Sequence, residues 1–411
     1  MDIKKLRNYA ELIARKGINI MPGQEVVIRT EPEQTDFVEI LAEECYKAGA
    51  SAVRAEWRFM PLTKLDIKYQ SAGKLGEVQK WQEEKLAYKV KTLPANIYLD
   101  SDDPDGLAGI DADKWAAAQQ ARYKTTKRYS DAMENKYQWC VAAVPGRKWA
   151  EKVFPGVSGE AAEEKLWELI LHCSRADGDD PMEAWRQHDE NLAERCSWLN
   201  SLKIKRLEYR SLSTGTDFSV GLMPGSLFCG GAEELAGKGI MYNANIPSEE
   251  VFTTPMKGDA EGIVYSTRPL SYRGSLIENF SIRFEKGRVT EVKAEKNQEA
   301  LEIMVKMDDG ASMLGECALV PWESPIRESG VLFYNTLFDE NAACHLALGA
   351  GYSSCIRDYW NYSNEQLREM GVNDSMIHED FMIGAPDLDI WGVCENGEKV
   401  KIFHNGRWAA E

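Results

Sequence analysis

Apolar side chains recur at helical spacing early in the chain, at Leu6, Tyr9, Ala10, Ile13 and Ala14, before Gly17 and Pro22-Gly23 interrupt the run. Glu25-Val26-Val27-Ile28-Arg29 follows as a strand. The cycle then repeats. Residues 36–48 read as a helix, 51–57 as an extended run, 77–90 as a helix and 95–99 as a short apolar strand. A long helical stretch over 113–137 leads into a strand at 139–144, and helices over 160–173 and 181–202 close this half. Helices alternating with short apolar strands predict an α/β layer with a mainly parallel sheet.

From Lys203 the periodicity changes to two. Residues 204–209, 217–222 and 277–292 alternate as strands do, with Glu285-Lys286-Gly287 as a hairpin turn. Glu395-Asn396-Gly397-Glu398 is a second hairpin signal, expected to be type I′. The expected division is an α/β N-terminal domain over 1–200 and a β-rich α+β domain over 201–411.

Length and charge narrow the function. A chain of 411 residues has ample material for two or three cores. Its formal charge of −17 argues against nucleic acid, which requires a basic face. No run approaches the ~20 apolar residues of a membrane span, and the charged start is no signal peptide. Nine scattered cysteines without a C-x-x-C pair suit a reducing compartment, so a cytoplasmic protein is expected. Phosphate-binding glycine loops and the G-x-S-x-G elbow are absent from the sequence. Asp100-Ser101-Asp102-Asp103-Pro104-Asp105-Gly106 lacks the ligand spacing of a calcium loop and reads as a solvated acidic loop.

Only five histidines are present. His172 and His188 lie among charged helical residues and read as surface or packing groups. In His378-Glu379-Asp380-Phe381-Met382-Ile383-Gly384, an extended chain projects His378 and Asp380 to one side while Phe381 and Ile383 face a core. Residues 335–349 read as a turn followed by a small apolar helix, with Asp339 as N-cap and His345 buried. Asn245 to Pro255 sets Glu249 and Glu250 before an apolar strand, and Gly315-Glu316-Cys317-Ala318-Leu319-Val320 sets Glu316 in an apolar run. Each segment alone reads as readily as a cap or ion pair. Together, two histidines and several carboxylates without a cysteine ligand are what a two-ion hydrolytic site requires.

These four segments resemble those of the thermophilic-type metalloaminopeptidases, the aminopeptidase T and aminopeptidase S family. The shared phrases are Ile246-Pro247-Ser248-Glu249-Glu250-Val251-Phe252-Thr253, Gly315 to Val320, Leu337-Phe338-Asp339-Glu340-Asn341-Ala342 with Cys344-His345-Leu346-Ala347, and His378 to Gly384. The resemblance covers the whole chain and implies metal ligands at Glu250, Glu316, His345, His378 and Asp380, with Glu340 as an additional one. It also implies Tyr352 as the active-site tyrosine. Trp391 departs from the family, standing after Leu388-Asp389-Ile390 where an acidic residue is expected, and Met256-Lys257 follow the first motif.

What the resemblance implies is removal of N-terminal residues from short peptides by water activated on two divalent ions of zinc, cobalt, manganese or magnesium type. Glu249 or Glu340 would shuttle the proton, and Tyr352 would stabilise the oxyanion. It further implies a homodimer whose first domain restricts access to short, unfolded peptides. Two alternatives stay open at this point. Two histidines and one carboxylate suit a mononuclear iron ring-opening dioxygenase, and a metal-free binding protein would keep the fold alone.

Overall fold

The strands expected in the first half form and run parallel, in a computed structural model that describes residues 2–409. Strands Glu25–Thr30, Ala52–Trp57, Ala95–Asp100 and Trp139–Ala143 lie in the order 52–57, 25–30, 95–100, 139–143, and Asn245–Ile246 extends the sheet beyond the last. The inner strands are apolar because both their faces are covered: Val26, Ile28, Ile97 and Leu99 are fully buried. The edge strand Ala52–Trp57 carries Arg54 and Glu56 and stays partly exposed. Helix Ile3–Leu12 begins where the Asp2 carboxylate accepts the Lys4 N–H, and it turns Tyr9, Ala10 and Leu12 inward. The Tyr9 hydroxyl donates to the Ala143 carbonyl and accepts its N–H, each at 3.2 Å, so a buried phenol is satisfied by strand backbone.

The chain divides into two units, Met1–Gln187 with Ala232–Pro247 and His188–Gly231 with Ser248–Glu411. The second is built from antiparallel sheets, as its period-two sequence requires. Its larger sheet has nine strands, with Pro255–Tyr265, Asp217–Leu222, Ile204–Arg210 and Asp389–Cys394 adjacent at its centre. At one end Ser275–Glu285 and Arg288–Lys296 form the expected hairpin. Glu285 pairs Arg288, and Lys286 and Gly287 both take positive φ (50° and 76°), the type I′ geometry.

The other hairpin differs from expectation. Only Gly397 has positive φ, at 86°. Asn396 keeps ordinary backbone because its Oδ1 accepts the Glu398 N–H at 2.9 Å. Cys394 then pairs Glu398 across a three-residue loop.

The smaller sheet orders strands Val251–Thr253, Leu314–Leu319, His345–Gly349 and His378–Met382, all antiparallel. Here the helix expected around His345 is overturned. Residues 336–342 make one short helical turn, and His345–Gly349 is a strand buried along its whole length. A five-residue apolar run flanked by strands on both sides has no polar face to reveal its period, and the two ladders decide its conformation. Asp339 lies inside this turn, and its carboxylate caps neither helical segment but accepts from the Phe333 and Asn335 N–H groups before it.

Candidate metal centre

The register of this small sheet assembles the chemistry. Glu316 pairs Ala347, which pairs Asp380, so one row across three strands reads Glu–Ala–Asp. His345 lies two residues before Ala347 and His378 two before Asp380, and residues two apart share a face. Phe252 pairs Ala318 in the next row, which sets Glu250 to the same side. Phe252 and Met382 bound that face, and the small Ala318, Ala347 and Gly349 on it leave room between the ionisable groups. Cys317, Leu319, Leu346, Leu348 and Phe381 point the other way and are buried.

The distances are short. His345 Nε2 lies 3.0 Å from Glu250 Oε2 and 3.9 Å from Asp380 Oδ1. His378 Nε2 lies 3.0 Å from Glu316 Oε2 and 3.5 Å from Asp380 Oδ1. Each imidazole is oriented from behind: His345 Nδ1 faces the Ala343 carbonyl at 3.1 Å, and His378 Nδ1 the Ala350 carbonyl at 2.7 Å. A carbonyl only accepts, so Nδ1 carries the hydrogen and Nε2 is left for the site, the arrangement usual behind metal-ligating histidines. Tyr352 packs its ring on His378, 4.8 Å between centroids, and on Phe252 at 5.5 Å.

Two more acids arrive from loops. Glu340 sits on the helical turn, 7% exposed, and Glu249 precedes Glu250, 8% exposed. Asn341, absent from the expected set, ties these loops together: its Oδ1 accepts the Glu249 N–H at 2.7 Å, while Nδ2 donates to the Leu337 carbonyl at 2.9 Å and approaches Glu340 Oε1 at 3.4 Å. Asp339, cast as a cap, accepts from the Phe333 and Asn335 N–H groups and from Arg268, which pins the turn. Local sequence does not reveal either role in full, because Glu249 lies 92 residues from Asn341 and Arg268 71 residues from Asp339. Trp391 is on the nine-stranded sheet beneath the ammonium groups of Lys399 and Lys401. His172 bonds Asp177, and His188 bonds the Ser248 carbonyl, in keeping with packing roles.

Five buried carboxylates against two imidazoles is an imbalance that the protonation states record. Burial, then the neighbouring Glu250 and Asp380 charges, push Glu316 up to about 7. Burial and then Asp380 hold Glu340 well above the carboxylate range. Burial works against a charged His345, yet the 3.0 Å approach and the charge of Glu250 outweigh it and raise it to about 9. His378 is raised too, burial being overcome by Asp380 and Glu316. Asp380 is lowered, its burial outweighed by His378. Burial, followed by Glu316 and Asp380, holds the Tyr352 phenol well above 10. Protons fill the place of missing positive charge.

The donor set fits metal ions. Glu250, Glu316 and His345 present one group of converging ligand atoms, and Glu316, His378 and Asp380 a second. His345 Nε2 and Asp380 Oδ1 are buried without a hydrogen-bond partner, though 3.9 Å apart. Orphaned polar atoms at that depth are costly unless something else binds them.

Comparison with known proteins gives this geometry its context. Residues 2–408 match the thermophilic metalloprotease (M29) family. This chain belongs to that family. It is 40% identical to aminopeptidase AmpS of Bacillus subtilis over 407 residues, covering 99% of this chain and 98% of the relative. It is 37% identical to aminopeptidase T of Thermus thermophilus, covering 98% of each. The solved structure of wild-type AmpT from Thermus thermophilus superposes with a TM-score of 0.87 at 35% identity, covering 99% of both chains. Family membership favours metal-dependent hydrolysis over the oxygenase and metal-free alternatives.

Proposed function

We propose that this protein removes N-terminal residues from short peptides at a centre of two divalent ions, zinc, cobalt, manganese or magnesium, held by Glu250, Glu316, Glu340, His345, His378 and Asp380. That the chain is a metalloaminopeptidase follows from its family and relatives; the number of ions and the residue roles are the proposal. Glu250 and His345 would hold one ion, His378 and Asp380 the other, with Glu316 common to both and Glu340 beside Asp380. The observation that carries this reading is the pair of ligand groups sharing Glu316, with His345 Nε2 and Asp380 Oδ1 orphaned between them.

Divalent ions in this position supply a Lewis acid and a water acidified toward neutrality. The side chains do the rest. The Tyr352 phenol donates a hydrogen bond to the scissile carbonyl oxygen as negative charge grows there. Glu249 carries the proton from the attacking water to the leaving amine, so that the C–N bond breaks with hydroxyl on carbon and hydrogen on nitrogen. The surplus of carboxylates suits a substrate with a free ammonium, which restricts cleavage to the chain end. The ligands all fall in the domain assigned to 201–411.

Among the described residues no helix is long and apolar enough to cross a membrane. Eight of nine cysteines are buried and all are free thiols, which supports a cytoplasmic setting. A homodimer is proposed from the family resemblance and the prevalence of twofold assemblies.

The deciding experiment measures metal per chain alongside hydrolysis of an aminoacyl-p-nitroanilide, before and after chelation and with cobalt or zinc restored. Two ions per chain and recovery on restoration are expected. In Glu316→Ala both metal and turnover should be lost; normal turnover at two ions per chain would remove Glu316 from the centre.

A further inference from the structure

A cavity of about 430 Å³ lies within the first unit, where the chain leaves the parallel strands. The order 52–57, 25–30, 95–100, 139–143 means that the chain adds its second strand on one side of the first and its third on the other. The strands 25–30 and 95–100 therefore flank a topological switch point, and open parallel sheets take ligands in the crevice beyond the carboxyl ends of such strands. Glu31 follows one of these strands directly and Ser101 the other, and both line the cavity.

These two side chains are the unusual ones. Glu31 is 7% exposed and Ser101 1%, and neither Glu31 Oε1 nor Ser101 Oγ has a hydrogen-bond partner. The other Glu31 oxygen accepts a long bond, 3.4 Å, from the Met60 N–H, and the Asp102 carboxyl lies within hydrogen-bond reach of Glu31. The neighbouring acids are matched by cations: Arg58 pairs Asp102 at 3.1 Å, Lys148 pairs Asp103 at 3.2 Å and Lys152 pairs Asp105 at 2.8 Å. Among the described residues no ion pair reaches Glu31. Burial, then the charge of Asp102, push its carboxyl up to about 7, as expected of an acid short of positive charge. Phe59, Met60 and Pro61 add an apolar wall, and Glu33 an exposed carboxylate. Lys64 and Lys148 line it too, both exposed, so four carboxylates face two ammonium groups and the lining stays net acidic, which disfavours the phosphates that sheets of this topology often hold.

We propose that this cavity binds a primary ammonium carried on a small apolar body, with Glu31 as counter-charge and Ser101 Oγ as a further acceptor. An ammonium offers three donors, and the two orphaned oxygens accept two of them. A free amino acid and the N-terminus of a short peptide both present this chemistry.

Calorimetric titration of the metal-loaded enzyme with 3-methylbutylamine tests it, with 3-methylbutanol as the uncharged isostere. The amine should bind and the alcohol should not. Glu31→Gln should weaken the amine at least tenfold at this site, and Ser101→Ala, a milder change in case the first variant folds poorly, should weaken it measurably. Glu316→Ala should keep the site, because Glu316 lies in the other unit. In that background leucine and leucinamide separate the two sources, since only the amide lacks the carboxylate that Glu31 and Glu33 would repel. Equal amine binding in wild type, Glu31→Gln and Ser101→Ala would overturn the proposal, as would an alcohol that binds as tightly as the amine. Loss of all amine binding in Glu316→Ala would move the amine to the metal centre, sinking this proposal while leaving the peptidase reading intact.

Discussion

Asn341 is fully buried and bonds both acid-bearing loops, so its amide is placed to hold Glu249–Glu250 and Glu340 in mutual register. Asn341→Ala leaves the Glu249 N–H unpaired in a buried place, at a cost of about 1–3 kcal/mol. Loss of a group that orients ligands typically weakens metal binding by about 10–100-fold. The expected result is a chelator titration midpoint shifted by that factor, with activity recovered in excess metal. A lowered melting temperature with an unmoved midpoint would make Asn341 merely structural. Tyr352 belongs to a different step. Its phenol is proposed to act on charge that exists only in the transition state, so Tyr352→Phe should lower kcat by about 10²–10³ and leave KM and metal content nearly unchanged. A variant that instead raised KM alone would place the ring in ground-state binding, consistent with its packing on Phe252 and His378.

The strand His345–Gly349 separates stability from function by parity. Its odd positions, His345, Ala347 and Gly349, lie on the face of the proposed ligands, and Leu346 and Leu348 face the core. Ala347 stands between Glu316 and Asp380, so Ala347→Leu should drive its side chain into the space between the ligand groups. Metal retention should vanish while stability falls by only about 1–3 kcal/mol. Leu346→Ala, one residue away, should do the reverse: a loss of about 2–5 kcal/mol and a melting temperature lower by roughly 5–15 °C, with the metal stoichiometry kept. Similar effects from both substitutions, read by metal analysis and thermal melts, would contradict the register. That strand was also the hardest to read from sequence. Where one face meets water, as in helix Ile3–Leu12 or the hairpin Ser275–Glu285 and Arg288–Lys296, periodicity announces the element. Where both faces are buried, helix and strand look alike, and the small apolar residues around His345 suit a helix as well as the strand they form. Glu250, Glu316, His345, His378 and Asp380 nonetheless stand out as candidates, because His, Glu and Asp in apolar frames are conspicuous whichever element bears them, whereas Glu340 enters only through the family resemblance. Asn341, Asp339 and Arg268 do not stand out, since their partners come from distant segments and no local spacing encodes them.

Without metal the centre carries extra protons, and this sets how stability depends on pH. Glu316 is raised to about 7 and His345 to about 9 in the folded chain, against ordinary values of 4.5 and 6.5. Glu340 and His378 are raised as well. A group whose folded pKa lies above its unfolded value keeps its stabilising contribution below the unfolded value and loses it as pH rises through the folded one. Between about pH 4.5 and 9 the folded metal-free protein therefore binds more protons than the unfolded chain, and its stability falls as pH rises. Asp380 is lowered and has the opposite sign, but its contribution changes only in acid, below its ordinary value of 3.8. Metal ions compete for the same electron pairs, so binding expels the protons and tightens with rising pH. Ligand binding adds stability that grows with the logarithm of the free ligand concentration over its dissociation constant, so tighter binding stabilises more. The gap in melting temperature between loaded and chelated enzyme should then widen steadily from pH 5.5 to 9, and Glu316→Ala should flatten it. Taking the difference cancels every titratable group remote from the centre. A gap that narrowed with rising pH would mean that the buried acids and histidines do not exchange protons for cations, and the two-ion reading would lose its electrostatic basis.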